Sequence, residues 1–167
     1  SGVMHADGIN DLEQYGAVRN CFKTLRFSED DLVTPLLQCV AAILILGNTQ
    51  FIVVSEANAE DKAGVALDDT CLKRAAALLG VDEANLRASL TSKTMIGDIV
   101  VGYSVEKAQA IRDALCKAIY GSLFQAVINE INKSLVASSP SFSEGTQARS
   151  SSIESLASIS VLDIFGF

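Results

Sequence analysis

The sequence predicts a mainly α fold with short strands, on three observations. Ile111, Leu115, Ile119, Leu123, Val127, Ile131 and Leu135 form an unbroken i, i+4 apolar ladder, which marks one long helix. Helix starts and stops punctuate the rest: Ser28, Asp69 and Asp82 precede helical runs, and Gly47 and Gly80 follow them. Strand-like composition is confined to short runs such as Gln50–Val54 and Val161–Phe167.

In chain order, the spacing predicts a first helix over Asp11–Leu25. A second follows, with Ser28 as N-cap and Glu29, Asp30 and Asp31 suited to the positive helix end. Pro35 lies late for a first-turn proline, which moves the start of that helix toward Thr34. Its body, including Leu36, Leu37, Val40, Ile43 and Leu44, is apolar on most sides, as in a buried helix. Gln50–Val54 reads as a strand and Glu56–Asp68 as a polar loop. Asp69–Leu79 is a helix, and Asp82 caps another that runs to about Leu90. Ser92–Tyr103 is an irregular or hairpin segment, with Gly97-Asp98 at its turn.

Ser104 then opens the dominant helix, roughly 48 Å long at 1.5 Å per residue. Apolar residues on its other faces predict burial by several neighbours. Asp113 and Lys117 have the spacing of an i, i+4 pair. Ala137–Ser158 is Ser-rich, with Pro140 and Gly145, and reads as a surface loop. In it, Ser150, Ser151 and Ser152 behind Arg149 are either phosphorylation positions or a plain solvated insert.

Composition narrows the classes. The chain has 167 residues, 49% of them hydrophobic, and a mean hydropathy of +0.32, which suits one domain with a core. A net charge of -7 and a pI of 4.6 argue against general nucleic-acid binding and against an anionic membrane surface. Cys21, Cys39, Cys71 and Cys116 are widely spaced and His5 is the single histidine, so zinc-ligand spacings are absent. Cys39 and Cys116 read as small core residues, and the cysteine usage fits a reducing cytosol. No signal-peptide pattern is present, and the apolar run Leu36–Leu46 is too short to span a bilayer.

The chemistry concentrates in Val161-Leu162-Asp163-Ile164-Phe165-Gly166-Phe167. An acid inside a strand-like apolar run is costly unless a cation or a donor meets it. A glycine three residues on lets the backbone N–H approach a ligand closely. The pattern suits a phosphate sensor, with Asp163 toward a metal and the Gly166 amide toward a phosphate oxygen. It also suits a strand that ends in an ordinary turn.

Five motifs in order resemble the myosin motor head, from about Asp7 to Phe167 apart from the Ser-rich loop. They are Asp7-Gly8-Ile9-Asn10-Asp11; Ala42 to Asn48 with Phe51; Ala77 to Val81 with Leu86 and Leu90; Arg112 to Lys117 with Ile119-Tyr120 and Leu123-Phe124; and Val161 to Phe167, which is similar to switch II. The resemblance implies a mainly α fragment of an α/β P-loop NTPase motor domain, its last strand belonging to the motor's central sheet. It divides the chain into a helical region (1–136), the Ser-rich loop (137–158) and a strand entering switch II (159–167). Asp163 then meets the magnesium of Mg-ATP through water, and the Gly166 amide senses the γ-phosphate.

By the same resemblance, residues 92–103 form a loop that touches actin, with Lys93, Thr94, Gly97 and Asp98 in it. Many family members carry an acid or a phosphorylatable hydroxyl sixteen residues before the acid matching Asp113. That position is Gly97 here, and Asp98 beside it either supplies the acid or is a turn acid.

The implied partners are the actin filament and ATP, with light-chain or calmodulin-like subunits outside this segment. No nucleic acid or membrane contact is expected of it, and the implied location is the cytoplasmic cytoskeleton. The sequence holds no Gly-x-x-x-x-Gly-Lys-(Ser/Thr) loop and no switch I segment, so the expectation is an internal piece of a motor head without ATPase of its own. Two rivals stand beside this reading: a non-enzymatic acidic helical interaction module, and a different P-loop enzyme with a similar switch.

Overall fold

The computed structural model describes residues 8, 10–54, 62–66 and 69–137. Five helices carry it: α1 (Asp11–Thr24), α2 (Thr34–Gly47), α3 (Thr70–Leu79), α4 (Glu83–Thr91) and α5 (Val105–Ala137). Two antiparallel strand pairs accompany them, β1 (Phe51–Val54) with β2 (Lys62–Val65), and β3 (Ser92–Met95) with β4 (Ile99–Gly102).

Capping chemistry sets the boundaries. Asn10, Ser28, Asp69 and Asp82 each accept a backbone N–H three residues on through the side chain. The Ser28 cap opens a π-helical turn, Glu29–Val33, and the α-helix proper begins at Thr34, where Pro35 fits the first turn. Both sequence signals at that start are therefore used. Helix α1 closes in a Schellman motif: Arg26 donates to the Lys23 carbonyl and Phe27 to the Phe22 carbonyl. The Phe22 and Phe27 rings stack with centroids 5.7 Å apart, which is the apolar contact that accompanies this cap. Arg26 pays for it with a left-handed backbone, φ 56°.

The core sits where α2, α3, α4, the first part of α5 and the β1–β2 pair meet. Leu46, Leu72, Leu90, Ala75 and Ala108 have no exposed surface there. Residues 62–65 correct the loop reading, because Lys62–Val65 forms a strand in register with β1, Phe51 opposite Val65 and Val54 opposite Lys62. Its Ala63 and Val65 face the core. A Lys, an Ala and a Gly carry little strand preference, so pairing with β1 rather than propensity makes this strand.

The long helix corrects a second expectation. Helix α5 spans 33 residues, yet Ala108 is its one buried residue among those described. The predicted ladder from Ile111 to Ile131 is its half-buried stripe, while Tyr120, Phe124 and Leu135 are exposed. Elements α2, α4, β1 and β2 pack along it and Ser134 Oγ donates to the Leu25 carbonyl at the end of α1, which together cover one side of a rod, not all of it. Helix α2 behaves alike: Ala42 and Leu46 are buried and Leu44 is 67% exposed. Counted with the π turn, Glu29–Gly47 reaches the length and hydropathy of a membrane span, beyond the shorter run read from sequence. In this fold it packs against α3 and α5 instead.

Asp113 does not pair with Lys117; its carboxylate takes the neighbouring Arg112 guanidinium at 2.7 Å. Cys39 and Cys116 are half-buried, and Cys116 packs against the core as its surroundings predict. Burial raises the Cys116 thiol above its ordinary range, and its Sγ lies 3.8 Å from the Ile43 carbonyl oxygen.

Candidate functional site

The β3–β4 hairpin carries the four described residues singled out from the sequence. Ser92 pairs with Gly102, Lys93 with Val101, Thr94 with Val100 and Met95 with Ile99. That register leaves a three-residue turn, Ile96-Gly97-Asp98, one residue longer than Gly97-Asp98 alone. The turn needs left-handed backbone twice, φ 86° at Gly97 and φ 59° at Asp98. Glycine adopts it freely, and aspartate is among the side chains that tolerate it. Asp98 thus serves the turn through its backbone.

Cross-strand partners share a face. Lys93, Met95, Ile99 and Val101 therefore line one side of the hairpin, and Ser92, Thr94, Val100 and Gly102 the other. Both sides meet solvent: Met95 is 51%, Ile99 61% and Val100 64% exposed, and Ile96 at the tip is fully exposed. A two-stranded hairpin with no packed face is marginal in water. This one is held at its base.

The Tyr103 N–H donates to the Thr91 carbonyl at 2.8 Å, and its own carbonyl accepts from Ala63 at 2.6 Å, so one residue ties the hairpin to the end of α4 and to β2. Ser92 Oγ donates to the Ala88 carbonyl at 3.0 Å. Lys62 lies so close over Gly102 that a Cβ there would come within 2.7 Å of its Cγ, so any larger residue would make the lysine side chain shift. The four residues picked from sequence, Lys93, Thr94, Gly97 and Asp98, fall on this one hairpin, the first two on β3 and the last two in its turn.

A polar knot at the α2–β1 corner was not anticipated. Arg112 Nη1 donates to the Thr49 carbonyl at 2.9 Å, and its guanidinium lies 5.9 Å from the Phe51 ring centroid. Arg112 thereby joins α5 to the α2–β1 corner. Its side chain is 15% exposed, so the cation is well shielded and shares its charge with Asp113. The sequence signal was an arginine set one residue past a ladder position. Thr49 is buried and its Oγ1 has no hydrogen-bond partner.

Asp163 and Gly166 lie outside the described residues, as do residues 138–158 of the Ser-rich segment. Among the described residues no group of three His, Cys, Asp or Glu side chains converges to hold a metal.

A helical unit that presents an anchored, apolar hairpin is the class of structure this fold defines. Comparison with known proteins sharpens it. The sequence model of the myosin head (motor domain) family matches residues 1–167. Unconventional myosin-Ic from Bos taurus is 35% identical over 162 residues, which cover 95% of this chain and 14% of that protein. Unconventional myosin-Ic from Aquarana catesbeiana is 37% identical over 164 residues, again 95% of this chain and 14% of that protein. Myosin-IIIa from Homo sapiens is 34% identical over 157 residues, 92% of this chain and 9% of that protein. The chain belongs to the myosin head (motor domain) family. It spans between 9% and 14% of the length of these relatives.

Proposed function

We propose that this chain is a segment of an actin-based, ATP-driven motor head, and that its β3–β4 hairpin forms part of the filament-facing surface. The observation that carries the reading is the hairpin itself, with Ile96, Ile99 and Val100 held in solvent on a base fixed by hydrogen bonds. Apolar side chains exposed together on a small element mark an interaction surface. Lys93 supplies one cation on the same face as Met95, which suits an acidic partner surface.

The second contribution assigned to the chain is nucleotide sensing. Asp163 orients the water shell of the magnesium of Mg-ATP, and the Gly166 N–H donates to a γ-phosphate oxygen. One carboxylate acting through water suits magnesium, which keeps several waters and takes few protein ligands. The described residues offer no competing carboxylate cluster for such an ion. Loss of the γ-phosphate removes the acceptor for the Gly166 amide, so nucleotide state becomes loop position. The parent protein would act at the cytoskeleton. The chain alone is expected to have no ATPase, since its sequence lacks the phosphate-cradling Gly-x-x-x-x-Gly-Lys-(Ser/Thr) loop.

Co-sedimentation of the intact parent head with actin filaments, with and without ATP, tests the reading. Wild type should bind and be released by ATP, and serine at Ile96, Ile99 and Val100 together should weaken binding at least tenfold. ATP-insensitive binding would favour an acidic interaction module instead. Measurable Mg-dependent turnover by the purified 167-residue chain would refute the inactive-segment claim.

A further inference from the structure

The apolar side of the hairpin contains one atom with redox chemistry, the thioether sulfur of Met95. Met95 is half exposed, sits opposite Ile99 at the last rung before the turn, and is followed by the fully exposed Ile96. Its side chain is therefore reachable by a small oxidant and also lies in the surface assigned to the partner. We propose that Met95 is an oxidation-sensitive contact, at which a peroxide switches the hairpin from a strong to a weak filament binder. The proposal rests on the reading of the hairpin as filament-facing.

The chemistry balances with hydrogen peroxide as oxidant. A sulfur lone pair attacks one peroxide oxygen, an S–O bond forms, and the O–O bond breaks. The departing hydroxide takes the proton from the attached oxygen and leaves as water. The sulfur loses two electrons and the peroxide gains them. The product sulfoxide is polar and chiral where the thioether was apolar and pliable.

Met95's cross-strand neighbours offer little to the new oxygen: Ile99 and Val101 bring no side-chain donor, and Lys93, two residues back, is the one side-chain donor of the set. The strand amides at the Met95–Ile99 rung belong to a two-stranded ladder with a short turn beyond it. A sulfoxide pressed into an apolar contact must therefore shed its water against at most one replacement donor, which opposes binding. Free in solution the same oxygen is fully hydrated, so the fold of the isolated chain should hardly change.

The intact head is treated with dilute hydrogen peroxide, the added oxygen is located by peptide mapping, and actin co-sedimentation is measured before and after. Oxidation at Met95 should lower filament affinity about tenfold, the order expected for burying one unpaired polar group. Reduction by methionine sulfoxide reductases of both stereochemical classes should restore it, which separates this effect from cysteine oxidation. Met95→Leu, whatever its starting affinity, should show the same affinity before and after peroxide, although Met4 and the cysteines remain oxidisable. The proposal is overturned if Met95 stays reduced while Met4 oxidises, if its oxidation leaves affinity unchanged, or if peroxide lowers the affinity of Met95→Leu to the same extent. A head that does not bind filaments before oxidation, or that binds normally with the triple serine hairpin, overturns the hairpin reading itself and this inference with it.

Discussion

The packed centre and the β3–β4 hairpin are made of the same residue types put to opposite uses. In the centre, Leu46, Leu72 and Leu90 are wholly withdrawn from water, because α2, α3, α4 and the β1–β2 pair surround one point. In the hairpin, Met95, Ile96, Ile99 and Val100 remain in solvent, because the described elements reach only its base, at Ser92, Gly102 and Tyr103. Apolar content alone does not assign a residue to the core. The number of neighbouring elements does, and a hairpin anchored only at its base has too few.

That contrast can be broken most directly by deletion on each side. Leu72→Ala should cost about 2–5 kcal/mol of stability, since it opens a cavity among α2, α3 and their neighbours. Ile99→Thr should stay within about 0.5 kcal/mol, as for an exposed position. Urea denaturation of both variants measures the difference, and equal losses would mean the hairpin is packed in solution.

Within the packed centre, the Arg112 knot joins α5 to the α2–β1 corner. Arg112→Lys should cost roughly 1–2 kcal/mol, because an ammonium cannot meet the Thr49 carbonyl, the Asp113 carboxylate and the Phe51 ring together. Recovery of full stability in the lysine variant would show that charge alone matters there.

At the edge of the fold the expected effect reverses sign. Arg26→Gly should stabilise by about 1 kcal/mol, since glycine adopts φ 56° without the steric penalty arginine bears. A loss instead would point to a contact of the guanidinium outweighing its backbone strain.

The smallest effect is electrostatic. Arg19 and Glu29 meet at 2.7 Å in a two-pronged pair that joins α1 to the π turn. The Arg19 hydrogen bond holds the Glu29 carboxyl below its ordinary range. A lowered folded-state value means this contribution is fully present above the ordinary glutamate range and fades as pH falls through the folded value. Both partners are solvent-screened, so a slight acid-side decline absent from Glu29→Gln is the expected signature in thermal melts.

Local chemistry was legible where it acts locally. Ser28, Asp69 and Asp82 cap helices in the structure as their side chains predict, and the Gly97 turn lies where the sequence places it. Features decided at long range were not. Lys62–Val65 becomes a strand only through Phe51–Val54, and Arg112 finds Thr49 across 63 positions of chain. The long helix shows the same limit from the other side. Its i, i+4 ladder marks the face that turns inward, but periodicity cannot report how many neighbours the chain provides to cover the remaining faces. Lys93, Thr94, Gly97 and Asp98 share one hairpin because they are close in the chain, while the solvent exposure of Met95, Ile96 and Ile99 beside them became visible only in the structure.

Two residues, Tyr103 and Ser104, separate the last rung of the hairpin from the first turn of α5. A 33-residue helix is a stiff rod of about 50 Å. Its first turns are set in the core through Ala108 and the Arg112–Thr49 bond, and near its far end Ser134 Oγ donates to the Leu25 carbonyl at 2.7 Å. The rod is thus pinned near both ends, and the two-residue link gives the hairpin a fixed bearing on its whole length.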